Sequence, residues 1–121
     1  MGNTDLYIGQ RRMMVQQLQQ KYPYDAQVLE AMNVVPRHLF LEKGMEHLAY
    51  EDKPLPIAAG QTISQPSTVA LQISLSGIKR GGKVLEVGTG CGYQTAVLEQ
   101  MGTRVYSVER QRELYMAAQK S

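Results

Sequence analysis

The stretch Lys83-Val-Leu-Glu-Val-Gly-Thr-Gly-Cys-Gly-Tyr93 constrains the fold of this chain more than any other. Val84, Leu85 and Val87 form a short apolar run of the kind found in a strand covered on both faces. Gly88, Gly90 and Gly92 then remove three side chains in five positions, so the backbone turns sharply and can approach a ligand closely. The pattern predicts a helix from Tyr93 to about Gln100, whose unpaired N–H groups point back at the same turn. A second strand is predicted over Arg104–Val108, followed at once by Glu109. Strand, glycine turn, helix and strand make an α/β unit. An acidic residue about twenty positions after the first glycine is the place for a carboxylate that holds ribose hydroxyls.

The spacing also selects the kind of nucleotide. The dinucleotide fingerprint is G-x-G-x-x-G, whose last glycine lets the helix pack close beneath a pyrophosphate. Here the third glycine arrives one place early, at Gly92, and Tyr93 occupies the reserved position. G-x-G-x-G with an acid ending the next strand suits an adenosyl ligand without a pyrophosphate, such as S-adenosylmethionine, and disfavours a nucleotide oxidoreductase. The alternative is a glycine turn that serves structure alone.

The chain of 121 residues is long enough for one domain with its own core, and 43% apolar with 20% charged residues is a globular balance. A formal net charge of +2 gives no ground for nucleic-acid binding, and Arg11-Arg12 is an isolated pair. The single cysteine, Cys91, excludes an internal disulfide. Met1-Gly2 begins like a myristoylation signal, but position 6 is Leu. No stretch is long and apolar enough to span a bilayer, and the expected location is cytoplasmic.

Before the glycine motif the chain reads as helical and then irregular. A first helix is predicted from Asp5 to about Gln20, with Leu6, Met13 and Leu18 as its apolar side. Tyr22-Pro23 breaks it. Asp25 is placed to cap a second helix over Ala26 to about Asn33, with Val28, Leu29 and Met32 inward and Pro36 ending it. His38-Leu-Phe-Leu41 suits a short helical turn. His38 and His47 lack the spacing of a metal pair and are expected to be ordinary surface or core histidines; no metal site is expected. Tyr50-Glu-Asp-Lys-Pro-Leu-Pro-Ile57 must run extended and has the character of a binding loop or a connector.

Gln61-Thr-Ile-Ser-Gln-Pro66 is the second candidate site. Pro66 opens a predicted helix that runs to about Ser76, with Val69 and Ile73 on one face, Leu71 and Leu75 beside it, and Gly77 stopping it. Gln65 is its formal cap. The plainer reading of Thr62 and Ser64 is that they only satisfy free N–H groups at the helix start. Ser64 is not in a G-x-S-x-G elbow, and no histidine is placed by sequence to activate it.

Together these segments carry a resemblance. Val34-Pro-Arg-His38, Tyr50-Glu-Asp-Lys-Pro-Leu-Pro56, Gly60-Gln-Thr-Ile-Ser-Gln-Pro66, Val84-Leu-Glu-Val-Gly-Thr-Gly-Cys-Gly-Tyr-Gln94 and Val105-Tyr-Ser-Val-Glu-Arg110 resemble, in order, the protein-L-isoaspartate O-methyltransferases. The resemblance implies a Rossmann-like methyltransferase fold with an N-terminal helical extension. It implies S-adenosylmethionine as methyl donor, S-adenosylhomocysteine as product, and isoaspartyl residues of damaged proteins as the target of repair. It places Gln61, Thr62, Ile63 and Ser64 beside cofactor and substrate, with Ser64 at the position of the family's active-site serine. Gly88, Thr89, Gly90 and Gly92 fall on the cofactor loop, and Glu109 with Arg110 on the ribose-binding acid and its neighbour. Cys91 stands where the family often has serine, a turn position expected to act through its backbone.

Residues 1–77 would then form the helical extension with the substrate loop, and 78–121 the first half of the cofactor domain. Only two parallel strands are predicted, and the resembled family continues with several more. The expectation is therefore the N-terminal part of such an enzyme, with reduced or no activity of its own. The alternative is a non-catalytic adenosyl-binding module, or one that self-associates through its incomplete sheet.

Overall fold

A computed structural model describes residues 2–57, 60–87 and 92–108. Helix α1 spans Gly2–Lys21 and α2 spans Ala26–Met32. Two short 3-10 turns, Arg37–Phe40 and Glu46–Leu48, lead to strand β1, Leu55–Pro56. Strand β2, Thr62–Ile63, and helix α3, Pro66–Ser76, follow. Strand β3, Lys83–Val87, helix α4, Tyr93–Gln100, and strand β4, Arg104–Val108, close the described chain.

The predicted apolar side of α1 is corrected. Met14, Val15 and Leu18 are buried and Tyr7 packs partly against them, whereas Leu6 is 55% and Met13 56% exposed. At 3.6 residues per turn, Tyr7, Met14, Val15 and Leu18 share one arc, while Leu6 lies about 120° from Leu18. Leu18 therefore belongs to a different face from the one that Leu6 and Met13 define.

Helix α2 follows its local signals. The Asp25 carboxylate accepts a hydrogen bond from the Gln27 N–H at 2.9 Å, and Val28, Leu29, Ala31 and Met32 are buried. The helix stops at Met32, one residue short of the expected end: the Asn33 N–H still bonds to the Leu29 carbonyl, but the Val34 N–H turns back to the Ala31 carbonyl only three residues away. Pro36, expected to end the helix, instead opens the Arg37–Phe40 turn.

His38 in that turn is a core-facing histidine. Its ring stacks on Tyr7 with centroids 4.1 Å apart, and its Nδ1 lies 2.9 Å from the Tyr50 hydroxyl. Burial pushes its pKa below the usual histidine value, the nearby Arg11 guanidinium lowers it further, and Glu46 opposes them. The unfolded chain thus takes up a proton at higher pH than the folded one. Stability from this contact is present above about pH 6.5 and is lost as pH falls from there through the depressed folded value. Urea titrations at pH 7.5 and 5.5 are expected to show a lower midpoint at pH 5.5, and a smaller difference in His38→Phe.

The proline-laced segment and the Gln61 segment, separate in sequence, pair as an antiparallel ribbon: Leu55 faces Ile63 and Pro56 faces Thr62. The Ile57 N–H donates to the Gln61 carbonyl at 2.9 Å. Leu55, Ile57 and Ile63 turn into the core. Helix α3 buries Val69, Ala70 and Ile73 and ends at Gly77, whose φ of 70° is a left-handed conformation suited to glycine. Leu75, expected beside the buried face, is exposed.

Strands β3 and β4 are parallel and in register, from Lys83 opposite Arg104 to Val87 opposite Val108, with α4 as the crossover. Val84 and Val105 pack against the core, and Glu86 turns toward α4, where its carboxylate accepts a hydrogen bond from the Thr95 hydroxyl. The other face departs from the two-sided burial expected of β3. Leu85 is 68% and its partner Tyr106 55% exposed, since no described element covers them. A single apolar cluster runs from Met14 on α1 to Met101 after α4. Among the described residues, no helix is long and apolar enough to cross a membrane.

Candidate functional site

Two parts of the fold hold the candidate residues. The first is the end of the parallel pair. Because β3 and β4 are in register, Val87 and Val108 end side by side, and the chain leaves both strands at the same edge. Gly88, Thr89, Gly90, Glu109 and Arg110 lie just beyond those ends and outside the described residues. Gly92 is described. It sits at φ 92°, a left-handed conformation, and serves as the N-cap of α4. Among the described residues no side chain caps the first turn of α4 and no acidic residue stands in that turn, so the positive end of the helix meets no described counter-charge.

Tyr93 shows why that helix start differs from a dinucleotide site. Its ring is 1% exposed, meets Phe40 edge-on with centroids 5.7 Å apart, and lies 4.8 Å from the Arg37 guanidinium carbon. A side chain thus fills the space that a glycine would leave open. Burial pushes the phenol up to about 12 against the pull of Arg37, so Tyr93 stays neutral at physiological pH.

The second part is Gln61–Ser64. Gln61, Thr62 and Ser64 are exposed, while Ile63 is buried and fixes the register with Leu55. The helix-start role for Thr62 and Ser64 fails. In α3 the Ser67 N–H donates to the Asp52 carboxylate at 2.8 Å, and the Thr68 and Val69 N–H groups donate to the Gln65 carbonyl. Gln65 makes no side-chain cap; its amide donates instead to the Ser67 hydroxyl at 2.9 Å. The Thr62 and Ser64 hydroxyls therefore take no part in capping.

Arg37 joins the two parts. This wholly buried residue donates from Nε to the Ala49 carbonyl at 2.8 Å and from Nη2 to the Ser64 carbonyl at 2.9 Å, with the Tyr93 ring beside it.

Sequence reasoning missed Arg37, Asp52 and Glu86. Asp52 carries no local signal, because the Ser67 N–H that it caps is fifteen residues away. Glu86 had one: a lone carboxylate inside an otherwise apolar strand. Its bond to Thr95 ties β3 to α4 across the glycine turn.

A cavity of about 730 Å³ between α1 and the Glu46–Leu48 turn is lined by Leu6, Gln10, Met13, Tyr50 and Glu51 among others, and by none of the candidate residues. Among the described residues, no group of three or more His, Cys, Asp or Glu is arranged to hold a metal.

Residues 9–121 match the family model for protein-L-isoaspartate(D-aspartate) O-methyltransferase. The chain is 56% identical over 115 residues to the protein-L-isoaspartate O-methyltransferase of Christiangramia forsetii, covering 95% of this chain and 54% of that protein. It is 55% identical, with the same coverage, to that of Flavobacterium psychrophilum. One solved protein-L-isoaspartate O-methyltransferase superposes with a TM-score of 0.81 at 32% identity, over 91% of this chain and 37% of its own. Another, from Plasmodium falciparum and described as a putative protein-L-isoaspartate O-methyltransferase in complex with S-adenosyl-L-homocysteine, gives 0.73 at 25% identity over 91% of this chain and 53% of its own. The chain spans about half the length of the curated relatives that it matches. These likenesses bear out the Rossmann-like methyltransferase fold expected from the sequence.

Proposed function

We propose, given that this chain belongs to the protein-L-isoaspartate(D-aspartate) O-methyltransferase family, that it carries the methyl-donor side of an enzyme that methylates the α-carboxylate of isoaspartyl residues in damaged proteins. Residues 78–121 would supply the opening half of the cofactor domain, and residues 1–77 the helical extension and substrate loop. The observation that carries the reading is the in-register ending of β3 and β4. It is the arrangement that lets the glycine turn after Val87 and Glu109 after Val108 serve one ligand.

The described residues fit such a ligand. An uncapped helix start behind a left-handed Gly92 suits the carboxylate end of S-adenosylmethionine, and a buried Tyr93 leaves no room for the close helix approach that a pyrophosphate needs. When bound, this donor supplies an activated methyl group on a sulfonium. The chain's own residues then have to position rather than activate. An isoaspartyl α-carboxylate is ionised at neutral pH and needs no strong base, so alignment and exclusion of water dominate. In this reading Gln61, Thr62, Ile63 and Ser64 border cofactor and substrate, with the exposed Ser64 hydroxyl donating to the carboxylate or holding the sulfonium end. Gly88, Thr89, Gly90 and Gly92 line the donor's turn, and Glu109 with Arg110 takes the ribose.

Methyl transfer from S-adenosylmethionine to an isoaspartyl peptide, with none to its aspartyl counterpart, is the expected result for an enzyme that carries this segment together with the further strands of the family's sheet, with reduced or no transfer by this chain alone. Ser64→Ala should lower kcat/KM at least about tenfold, the size of one lost charge-assisted hydrogen bond. Unchanged turnover in Ser64→Ala would remove that role. A second reading, a self-associating adenosyl-binding module, is favoured by the exposed Leu85–Tyr106 pair. Cofactor binding by an oligomeric chain, with no methyl transfer even when the further strands of the family's sheet are present, would favour it.

A further inference from the structure

We infer that Arg37 is a positioning residue that fixes the Gln61–Ser64 segment relative to the start of α4; its functional weight rests on the reading of that segment given above. Its buried guanidinium makes two fixed hydrogen bonds, from Nε to the Ala49 carbonyl at 2.8 Å and from Nη2 to the Ser64 carbonyl at 2.9 Å. The two acceptors lie on different segments. Ala49 precedes the loop whose Asp52 caps α3, and Ser64 lies two residues before α3 itself. The same guanidinium lies 4.8 Å from the ring of Tyr93, the first residue of the helix that follows the glycine turn. One side chain therefore touches the Ala49 segment, the Ser64 segment and the start of α4.

Taking a charge out of water is costly, and an apolar side chain would fill this space without that cost. What an apolar group lacks is a planar fork able to hold two carbonyls at a set angle while stacking on an aromatic face. Among the described residues the arrangement also leaves the Ser64 hydroxyl uncommitted. The Ser64 carbonyl is held by Arg37, Ile63 is paired with Leu55, and the helix start is held by Asp52. The segment is thus located by three ties that do not use the side chains facing solvent.

Lysine can reach one of the two carbonyls but not both, and it cannot stack as a plane. Arg37→Lys is therefore expected to loosen the segment locally. Hydrogen exchange followed by mass spectrometry or NMR reads this directly. The amides of Ile57, Ser67 and Val69, which bond to Gln61, Asp52 and Gln65, should exchange about tenfold faster than in the unaltered chain. The amides of Asn33 and Met101, which close α2 and α4, should keep their rates. Unchanged rates at Ile57, Ser67 and Val69 would overturn the proposal. So would an equal acceleration everywhere or outright unfolding, either of which makes Arg37 a general support of the core. None of these readouts depends on ligand. A separate calorimetric titration of S-adenosylhomocysteine into the unaltered chain decides the functional reading, so the two can fail independently.

Discussion

Tyr93→Ala is expected to lose about 3–5 kcal/mol of stability, the range for truncating a buried aromatic side chain. Three contributions fall together. The ring is 1% exposed and belongs to the central cluster, so its removal opens a cavity where α4 meets the Arg37–Phe40 turn. Its edge contact with Phe40 disappears, and so does the aromatic face beside the Arg37 guanidinium. The buried Arg37 charge is left with less compensation for its lost hydration. Domains of this size hold about 5–15 kcal/mol in all, so the variant should be largely unfolded at moderate urea concentrations. Tyr93→Phe keeps the ring and removes only the hydroxyl, and should cost less than about 1.5 kcal/mol. Urea titrations of the two variants in which alanine costs no more than phenylalanine would contradict this account of the α4 start.

Glu109→Ala is expected to weaken S-adenosylhomocysteine binding about hundredfold, or about 2.7 kcal/mol. A carboxylate that accepts from two ribose hydroxyls makes two charge-assisted hydrogen bonds, each stronger than a neutral pair. Glu109 follows β4 directly in sequence, and β4 lies in register beside the strand that the glycine motif follows in sequence. The same substitution should leave thermal stability nearly unchanged, because the effect lies in recognition. Comparable affinity in Glu109→Ala would mean that the acid after β4 takes no part.

Much of the fold was legible because its signals are local. Asp25 before an apolar run, Pro66 at a helix start and Gly77 at a helix end each act within one turn, and each is found in its expected role. The parallel pair and its crossover helix were legible for the same reason: glycine spacing and apolar runs fix them before any tertiary contact. The face of α1 was not, because Met13 and Met14 are adjacent and either can anchor a stripe; the side against which the rest of the chain packs decides it. The β1–β2 ribbon joins segments that look unlike strands, two residues each, and is held by side chains that turn into a distant core.

For the candidate site the same limit applies. Gln61–Ser64 could be picked out by residue type, but its supports, Arg37 and Asp52, are remote in sequence and contact it only after folding. Glu86 was visible as a carboxylate in an apolar strand, but its bond from Thr95 forms only once β3 and α4 have come together.

The account stands most directly on a single calorimetric experiment, in which S-adenosylhomocysteine is titrated into the unaltered chain at neutral pH. It predicts saturable heat with one site per chain, sharply reduced in Glu109→Ala. No heat at millimolar ligand, or heat that Glu109→Ala leaves untouched, would contradict the claim that the ends of β3 and β4 serve one adenosyl ligand.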